Sequence, residues 1–299
     1  MDRAAAAECC ASCGISQVDD VKLKDCDNCD LVKYCSDGCQ ENHSEHHEEE
    51  CKKRRAELRD RDLFTMPEGR HWGECPICCL PQPIDPTKTV FMQCCSQFIC
   101  FGCDYANQMR ENEAGLEHRC AFCREPLAKS KEENEKRVME RIKKNDPVAM
   151  CRMGNKHLIE GDHETALEYL TKAAELGDVD AHYQLSVFYF RGECVEKDRK
   201  KHAYHLELAT IGGHPMARHN LGIVEGGNGR YERAKKHWII AANLGHEESL
   251  KCLRKLYAEG KASKEDYAGA LRAFQAAVNA TNSREREEAE AYFQALRRG

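Results

Sequence analysis

The sequence lacks a long apolar run and a large excess of charge of either sign. No stretch approaches the roughly 18 consecutive apolar residues of a membrane-spanning helix, so we expect no membrane contact. Met1–Ala7 has no apolar core of the kind that marks a secretory signal, and we therefore expect an intracellular chain, cytoplasmic or nuclear. The net charge of −6 over 299 residues includes no basic domain or stripe, which argues against a nucleic-acid partner.

Several common enzyme motifs are also missing. The sequence contains no P-loop, GxGxxG, GxSxG or HExxH pattern. It therefore points to no covalent catalytic residue and to no nucleotide cofactor, and the search for function turns to the residues that are abundant.

Cysteine is abundant and unevenly distributed. Of the twenty cysteines, seventeen lie between Cys9 and Cys123, and the remaining three, Cys151, Cys194 and Cys252, are isolated. Thiols stay reduced inside cells, so a disulfide framework is not expected. Clustered pairs of thiols predict metal sites instead, and Zn²⁺ is the intracellular ion that sets of four thiolates favour.

The first cysteine-rich block offers eight candidate ligands in four closely spaced pairs. These are Cys10, Cys13, Cys26, Cys29, Cys35, Cys39, His47 and Cys51. Eight ligands fill two tetrahedral zinc sites, and each structural zinc in so small a segment would supply about 10–16 kcal/mol of folding free energy. Two alternatives remain open: Cys9 in place of Cys10, and ligation by His43 or His46.

This block resembles the MYND zinc finger at all eight ligand positions. The resemblance rests on Tyr34-Cys35-Ser36-Asp37-Gly38-Cys39-Gln40 followed by His47 and Cys51. It implies interleaved sites, one zinc held by Cys10, Cys13, Cys35 and Cys39, and the other by Cys26, Cys29, His47 and Cys51. Members of the family bind short, often proline-rich peptides. Where the family usually has Asp-Trp this sequence has His43-Ser44, and the missing tryptophan platform argues against a peptide ligand.

The second block also offers eight candidate ligands in four pairs, and all of them are cysteines. The candidate ligands are Cys75, Cys78, Cys94, Cys95, Cys100, Cys103, Cys120 and Cys123. They again suffice for two zinc ions, so we expect four zincs per chain. Because Cys94 and Cys95 are adjacent, His118 is an alternative ligand for one of them, and Cys79 is taken as a spare thiol.

This second block resembles the RING finger. The resemblance rests on Cys75-Pro76-Ile77-Cys78, Ile99-Cys100-Phe101-Gly102-Cys103 and Cys120-Ala121-Phe122-Cys123-Arg124-Glu125-Pro126-Leu127. It implies a cross-brace, with Cys75, Cys78, Cys100 and Cys103 on one zinc and Cys94, Cys95, Cys120 and Cys123 on the other. It also implies a ubiquitin-protein ligase, which orients the thioester of a bound ubiquitin-conjugating enzyme without covalent chemistry of its own. The docking candidates are Ile77, Arg124, Pro126 and Leu127. The simpler interpretations are local packing for Ile77 and an ordinary surface side chain for Arg124.

From Asp146 onward a repeat of small residues replaces the cysteines. Gly177, Gly213 and Gly245 are each followed four residues later by a small residue, and Asn145 and Ala149 have the same spacing, so that successive units start 32, 36 and 32 residues apart. Two amphipathic stretches per unit predict an α-solenoid. The pattern over about 147–281 resembles Sel-one-like repeats, relatives of the tetratricopeptide repeat, which usually bind other proteins.

Together these patterns predict a multi-domain chain in which two small zinc-stabilised α+β fingers precede an all-α helical-repeat solenoid. The expected segments are a disordered N-terminus (1–8), a MYND-like finger (9–52), a charged linker (53–73), a RING-like finger (74–128), a charged helical spacer (129–146) and Sel-one-like repeats with a C-terminal helix (147–299). The predicted function is a RING-type ubiquitin-protein ligase whose repeats select substrates. The alternative is a non-catalytic scaffold that mediates protein–protein interactions.

Overall fold

The computed structural model of the chain describes residues 9–17 and 22–298. The predicted disordered segment 1–8 lies outside them. The chain divides into two compact units, Met1–Thr65 and Met66–Gly299. No helix in the described ranges is long and apolar enough to cross a membrane.

The first unit is a short hairpin followed by one long helix. Strand β1 (Lys24–Asp25) pairs antiparallel with β2 (Lys33–Tyr34), and α1 (Asp37–Phe64) follows. The Ser36 side chain accepts a hydrogen bond from the Cys39 N–H at the start of α1, which satisfies one of the unpaired donors of the first turn. Helix α1 continues to Phe64 and so includes residues 53–64 of the predicted linker, and the chain from Met66 onward belongs to the second unit.

In the second unit, residues 66–73 lead into the second cysteine-rich module, residues 74–128. After a single 3₁₀ turn (Pro86–Lys88), β3 (Thr89–Met92) and β4 (Gln97–Cys100) form an antiparallel hairpin, and α2 (Phe101–Glu113) follows directly. The predicted charged spacer contains α3 (Lys131–Ile142), which is capped by Ser130. Val138 of α3 is buried against Phe91 of the hairpin, so this helix packs on the module that precedes it.

The remainder is helical and its period matches the sequence pattern. The helices are α4 (Pro147–Glu160), α5 (His163–Glu175), α6 (Val179–Arg191), α7 (Arg199–Ile211), α8 (Pro215–Gly227), α9 (Tyr231–Asn243), α10 (Glu247–Ala258), α11 (Lys264–Asn279) and α12 (Arg284–Arg298). Antiparallel partners pack through buried small residues such as Ala166, Ala181 and Ala234. Small side chains let helix axes approach closely, which favours paired helices stacked into a solenoid.

The second cysteine-rich module is packed against both ends of this solenoid. At the first end, Phe91 and Phe98 of the hairpin pack on α3 and α4, and the Arg152 guanidinium lies 5.3 Å from the Phe91 ring centroid. At the other end, α12 packs on α2, and the rings of Phe101 and Phe293 are 4.2 Å apart. No local sequence pattern indicates these contacts.

A short segment before the module, residues 66–73, runs along the turns that join successive repeats. The Arg70 guanidinium donates to the carbonyl oxygen of Leu244 at 2.7 Å and also to that of Gln82. The Trp72 indole N–H donates to Asp180 Oδ2 at 2.7 Å. We call residues 66–73 the strap, because these hydrogen bonds hold it to repeats that are more than a hundred residues away in sequence.

Candidate metal centres

Three pairs of cysteines lie on turns of identical geometry. In each turn the N–H of the first cysteine donates to the carbonyl five residues later, and the N–H four residues later donates back to the first cysteine's carbonyl. These bonds are 2.8–3.0 Å long in the turns that start at Cys10, Cys75 and Cys120. The residue after each second cysteine, namely Gly14, Cys79 and Arg124, has a positive φ of 56–75°. This left-handed residue tightens the turn so that both sulfurs face one point. Cys79 is therefore a turn residue and not a ligand.

The first unit brings its candidate ligands together in two sets. Cys10, Cys13, Cys35 and Cys39 form one set, and Cys26, Cys29, His47 and Cys51 form the other, with the ligand atoms of each set within 4.8 Å of one another. These are the sets that the MYND resemblance implies. Helix α1 supplies His47 and Cys51 four residues apart, and residues at this spacing share one face of a helix.

The alternative ligands of the first unit lie outside both sets. The backbone of Cys9 pairs with that of Ser16. His43 Nδ1 is 3.0 Å from the Tyr34 hydroxyl oxygen, and its ring stacks against His46 and His47. His43 thus occupies a place beside Tyr34 instead of binding metal.

The second cysteine-rich module also forms two sets with ligand atoms within 4.8 Å. They are Cys75, Cys78, Cys100 and Cys103, and Cys94, Cys95, Cys120 and Cys123. Adjacent Cys94 and Cys95 both reach the second set because the chain reverses at Ser96, whose φ is 56° and whose N–H donates to the Met92 carbonyl at 2.8 Å. His118 lies apart, with its Nδ1 3.5 Å from a carboxylate oxygen of Glu111.

The spacing of the sulfurs fits zinc. A tetrahedral ion with bonds of about 2.3 Å to sulfur separates two ligand sulfurs by about 3.8 Å. Sulfur–sulfur distances within the sets include 3.3 Å for Cys94–Cys123, 3.8 Å for Cys78–Cys100 and 4.0 Å for Cys94–Cys95. A disulfide would need about 2.05 Å, and all twenty cysteines are free.

The charge balance of the sets also calls for a cation. The pKa of the Cys75 thiol is lowered to about 4, first by the hydrogen bond from Cys100. In contrast, burial chiefly raises the pKa of Cys51, Cys95 and Cys103 to about 12. Within the Cys75 set, a first thiolate thus forms more readily than one at Cys103. Four sulfurs that bind as thiolates at this spacing would need a divalent ion to balance their charge. Zinc is the ion that these donor sets fit.

The buried carboxylate of Glu111 fixes the last cysteine turn to α2. Glu111 is fully buried and accepts from the Arg119 N–H at 3.1 Å and from the Arg124 guanidinium at 2.9 Å. These donors hold its pKa below the usual value although burial opposes this. Because the charged stretch around Glu111 resembles any exposed helix end, sequence reasoning missed this residue.

The predicted docking residues differ in exposure. Ile77 is 42% exposed on its cysteine turn, so it is not packed beneath that turn, and Phe122 in the equivalent position is 47% exposed. Arg124 donates to both Glu111 and Asn107, which fixes its guanidinium against α2. Pro126 and Leu127 are partly buried, and Leu127 packs against the cysteine cluster.

A fifth group of candidate ligands, His71, Asp180 and His214, has a structural explanation. Its ligand atoms also lie within 4.8 Å of one another. However, His214 Nδ1 accepts a hydrogen bond from the Ala217 N–H at 3.2 Å, so the ring proton must be on Nε2, where it faces Asp180 at 3.3 Å. A metal-binding histidine needs the opposite arrangement. The group therefore anchors the strap and does not form a metal site.

Comparison with known proteins matches the first cysteine-rich block and the first three predicted repeats. Residues 10–51 match the family model described as MYND finger. Residues 147–178, 179–214 and 215–246 match the Sel1 repeat, and these ranges have the predicted lengths of 32, 36 and 32 residues. A search of curated proteins finds no match.

Similar solved structures include two repeat proteins. One is a Sel1 repeat protein from Oxalobacter formigenes, with 21% identity over 66% of this chain and 86% of that chain and a TM-score of 0.44. Another is a protective antigen present in uropathogenic Escherichia coli strains displaying an SLR fold, with 20% identity over 57% of this chain and 37% of that chain and a TM-score of 0.43. The predicted fold class is confirmed: a cysteine-rich zinc-finger region that begins with a MYND finger is followed by a helical Sel1 repeat solenoid.

Proposed function

We propose that this chain is a protein-interaction adaptor whose second cysteine-rich module docks a ubiquitin-conjugating enzyme and so acts as a RING-type ubiquitin-protein ligase. The observation that carries the ligase proposal is the exposed Ile77 on a rigid cysteine turn of an interleaved eight-cysteine module. The RING resemblance rests on these motifs and this geometry alone.

The adaptor part of the proposal rests on the repeats. Sel1 repeats generally mediate protein–protein interactions, and this solenoid exposes large apolar side chains on several helices. Phe190 is 66% exposed, Tyr204 is 59% exposed and Ile223 is 51% exposed. Aromatic and aliphatic side chains of this kind are common anchors of protein interfaces.

The ligase part rests on which side chains stay accessible. Helices α3, α4 and α12 cover the hairpin and one side of α2, yet Ile77 and Phe122 remain exposed at the tips of their turns. A zinc-fixed turn presents such a side chain in one conformation, which lowers the entropy cost of docking. Ligase activity would then need only the orientation of a thioester that the partner brings.

The test is discharge of ubiquitin from charged conjugating enzymes. The zinc-loaded full chain is mixed with a ubiquitin-activating enzyme, ubiquitin and a panel of conjugating enzymes, and transfer to free lysine is timed. We expect at least one conjugating enzyme to be discharged faster in its presence. Ile77→Ala should reduce this stimulation about tenfold, the usual effect of losing an interface anchor.

Ile159→Ala is the matched control, because it removes the same kind of side chain from α4, far from the cysteine turns in sequence. Ile159 is 89% exposed. The stimulation by this variant should equal that of the wild type. The ligase proposal is wrong if no conjugating enzyme is discharged faster, or if the two variants behave alike. The chain would then be a non-catalytic scaffold, which the MYND and Sel1 matches alone already favour.

A further inference from the structure

The C-terminal helix places a guanidinium against one of the zinc-ligand sets. Arg286 Nη2 lies 3.4 Å from the sulfur of Cys78, a residue 208 positions earlier in the chain. Arg286 Nη1 donates to the carbonyl oxygens of Pro81 and Thr281 at 2.9 and 2.8 Å. The guanidinium is thus fixed by the backbone on two sides while one N–H faces the sulfur.

The close fit between α12 and α2 holds Arg286 in this position. A Cβ added at Gly102 would lie 2.7 Å from the Arg286 backbone nitrogen, so only glycine fits there. The Phe101 and Phe293 rings are in contact, and Lys88 Nζ lies 2.8 Å from Glu290 Oε2. Arg286 therefore lies in a built contact and is not a surface side chain that happens to pass a sulfur.

Electrostatics gives this contact a consequence. Four thiolates around one Zn²⁺ carry a net charge of −2, and Cys75 and Cys100 of this set are fully buried. A charge-assisted hydrogen bond from a guanidinium draws negative charge from the sulfur, which makes the thiolate harder to protonate or alkylate. Residues that hydrogen-bond metal ligands typically change metal affinity by about 10–100-fold when mutated.

We propose that Arg286 is the charge-compensating positioning residue of the zinc site formed by Cys75, Cys78, Cys100 and Cys103, so that zinc at this site and docking of α12 stabilise each other. The C-terminal helix is then part of this zinc centre. The inference does not depend on ubiquitin transfer.

The test measures how fast the cysteines of each zinc-ligand set become open to alkylation when zinc is removed. The zinc-loaded full chain is treated with excess chelator and N-ethylmaleimide, and the alkylation of each cysteine is followed by mass spectrometry of the peptides. Arg286→Gln should accelerate alkylation at the Cys75 set by about tenfold or more. Arg286→Lys, which keeps the charge and loses the planar fork, should give an intermediate rate.

Two references separate this effect from general unfolding. Arg284→Gln removes an exposed arginine of the same helix that bonds only Glu288 in the described contacts, and it should leave every rate unchanged. The set of Cys94, Cys95, Cys120 and Cys123 in the same module should also keep its wild-type rate in all variants. Equal rates in Arg286→Gln and the wild type, or equal acceleration of both sets, would overturn the proposal. If Arg286→Gln does not fold, Arg286→Lys decides by the same comparison.

Discussion

Asp180 fastens the strap to the repeats, and replacing it with alanine should strongly destabilise the unit Met66–Gly299. Its Oδ1 lies 2.8 Å from His71 Nε2 and 3.3 Å from His214 Nε2, and its Oδ2 accepts from Trp72 Nε1 at 2.7 Å. Burial alone would raise the pKa of Asp180, but the hydrogen bonds from His214 and His71 hold it well below the usual value. The folded state therefore contains a carboxylate that accepts from an indole N–H and lies beside two imidazole nitrogens.

The expected loss follows from what the alanine leaves behind. Removing one partner of a buried charged group costs about 3–5 kcal/mol, and because 23% of the Asp180 side chain is exposed we expect about 3 kcal/mol. For a unit of this size each kcal/mol lowers the melting temperature by about 2–4 °C, so Asp180→Ala should melt about 6–12 °C lower. Asp180→Asn, which keeps the size and one acceptor, should lose roughly half as much.

Scanning calorimetry in zinc-containing buffer at pH 7 measures this difference. The control is Glu193→Ala, which removes the carboxylate of an exposed ion pair with Arg191 and should change stability by no more than about 0.5 kcal/mol. Equal melting temperatures for Asp180→Ala and Glu193→Ala would refute the reasoning, because the strap would then contribute nothing to stability.

Three further predictions concern other parts of the chain. Gly222→Ala should lower the free energy of unfolding by about 1–3 kcal/mol, because its Cβ would lie 2.5 Å from Trp238 Nε1. A Cβ at Gly227 would meet no atom within 4 Å, so Gly227→Ala should be neutral or stabilise by up to about 1 kcal/mol. Urea titration of the two variants measures this difference. Burial chiefly lowers the pKa of His205 to about 4. As the pH falls below about 6.5, the imidazole gains a proton in the unfolded chain but not in the folded one, so the free energy of unfolding decreases. The melting temperature of the wild type should therefore fall more between pH 7 and pH 5 than that of His205→Gln, and equal slopes would contradict this. Mass-spectrometric metal analysis should find four zincs per chain, one for each cysteine-rich set, and two or fewer would contradict the four sites.

The zinc-ligand sets and the helical repeats could be predicted because both depend on regular spacings of residues along the sequence. A gap of two residues between Cys75 and Cys78 suits one cysteine turn, and the recurrence of Gly177, Gly213 and Gly245 sets the repeat length. It is harder to predict from the sequence that Cys94 and Cys95 both belong to one ligand set. Adjacent ligands need a chain reversal, and the left-handed conformation of Ser96 that provides it has no sequence signature.

The packing of the second module on the solenoid could not be predicted, because its contacts join residues that are far apart in the sequence. Arg70 and Arg286 lie in charged segments and have the sequence context of surface residues, but both donate to backbone carbonyls far away in the chain. Asp180 stands in the first turn of α6, where acidic residues are common for helix stability alone. The long-range partners of such residues depend on the assembled fold, and no periodic pattern in the sequence indicates them.

The contact of one small module with both α4 and α12 has a consequence for how the gene can change. An open solenoid tolerates the gain or loss of a repeat, because each repeat contacts only its neighbours. Here the insertion of one more helix pair would carry α12 away from α2 and shift the turns at Gly213 and Gly245 along the strap. The number of repeats is therefore fixed by the size of the zinc module, and relatives that keep this closure should vary in their loops and not in their repeat count.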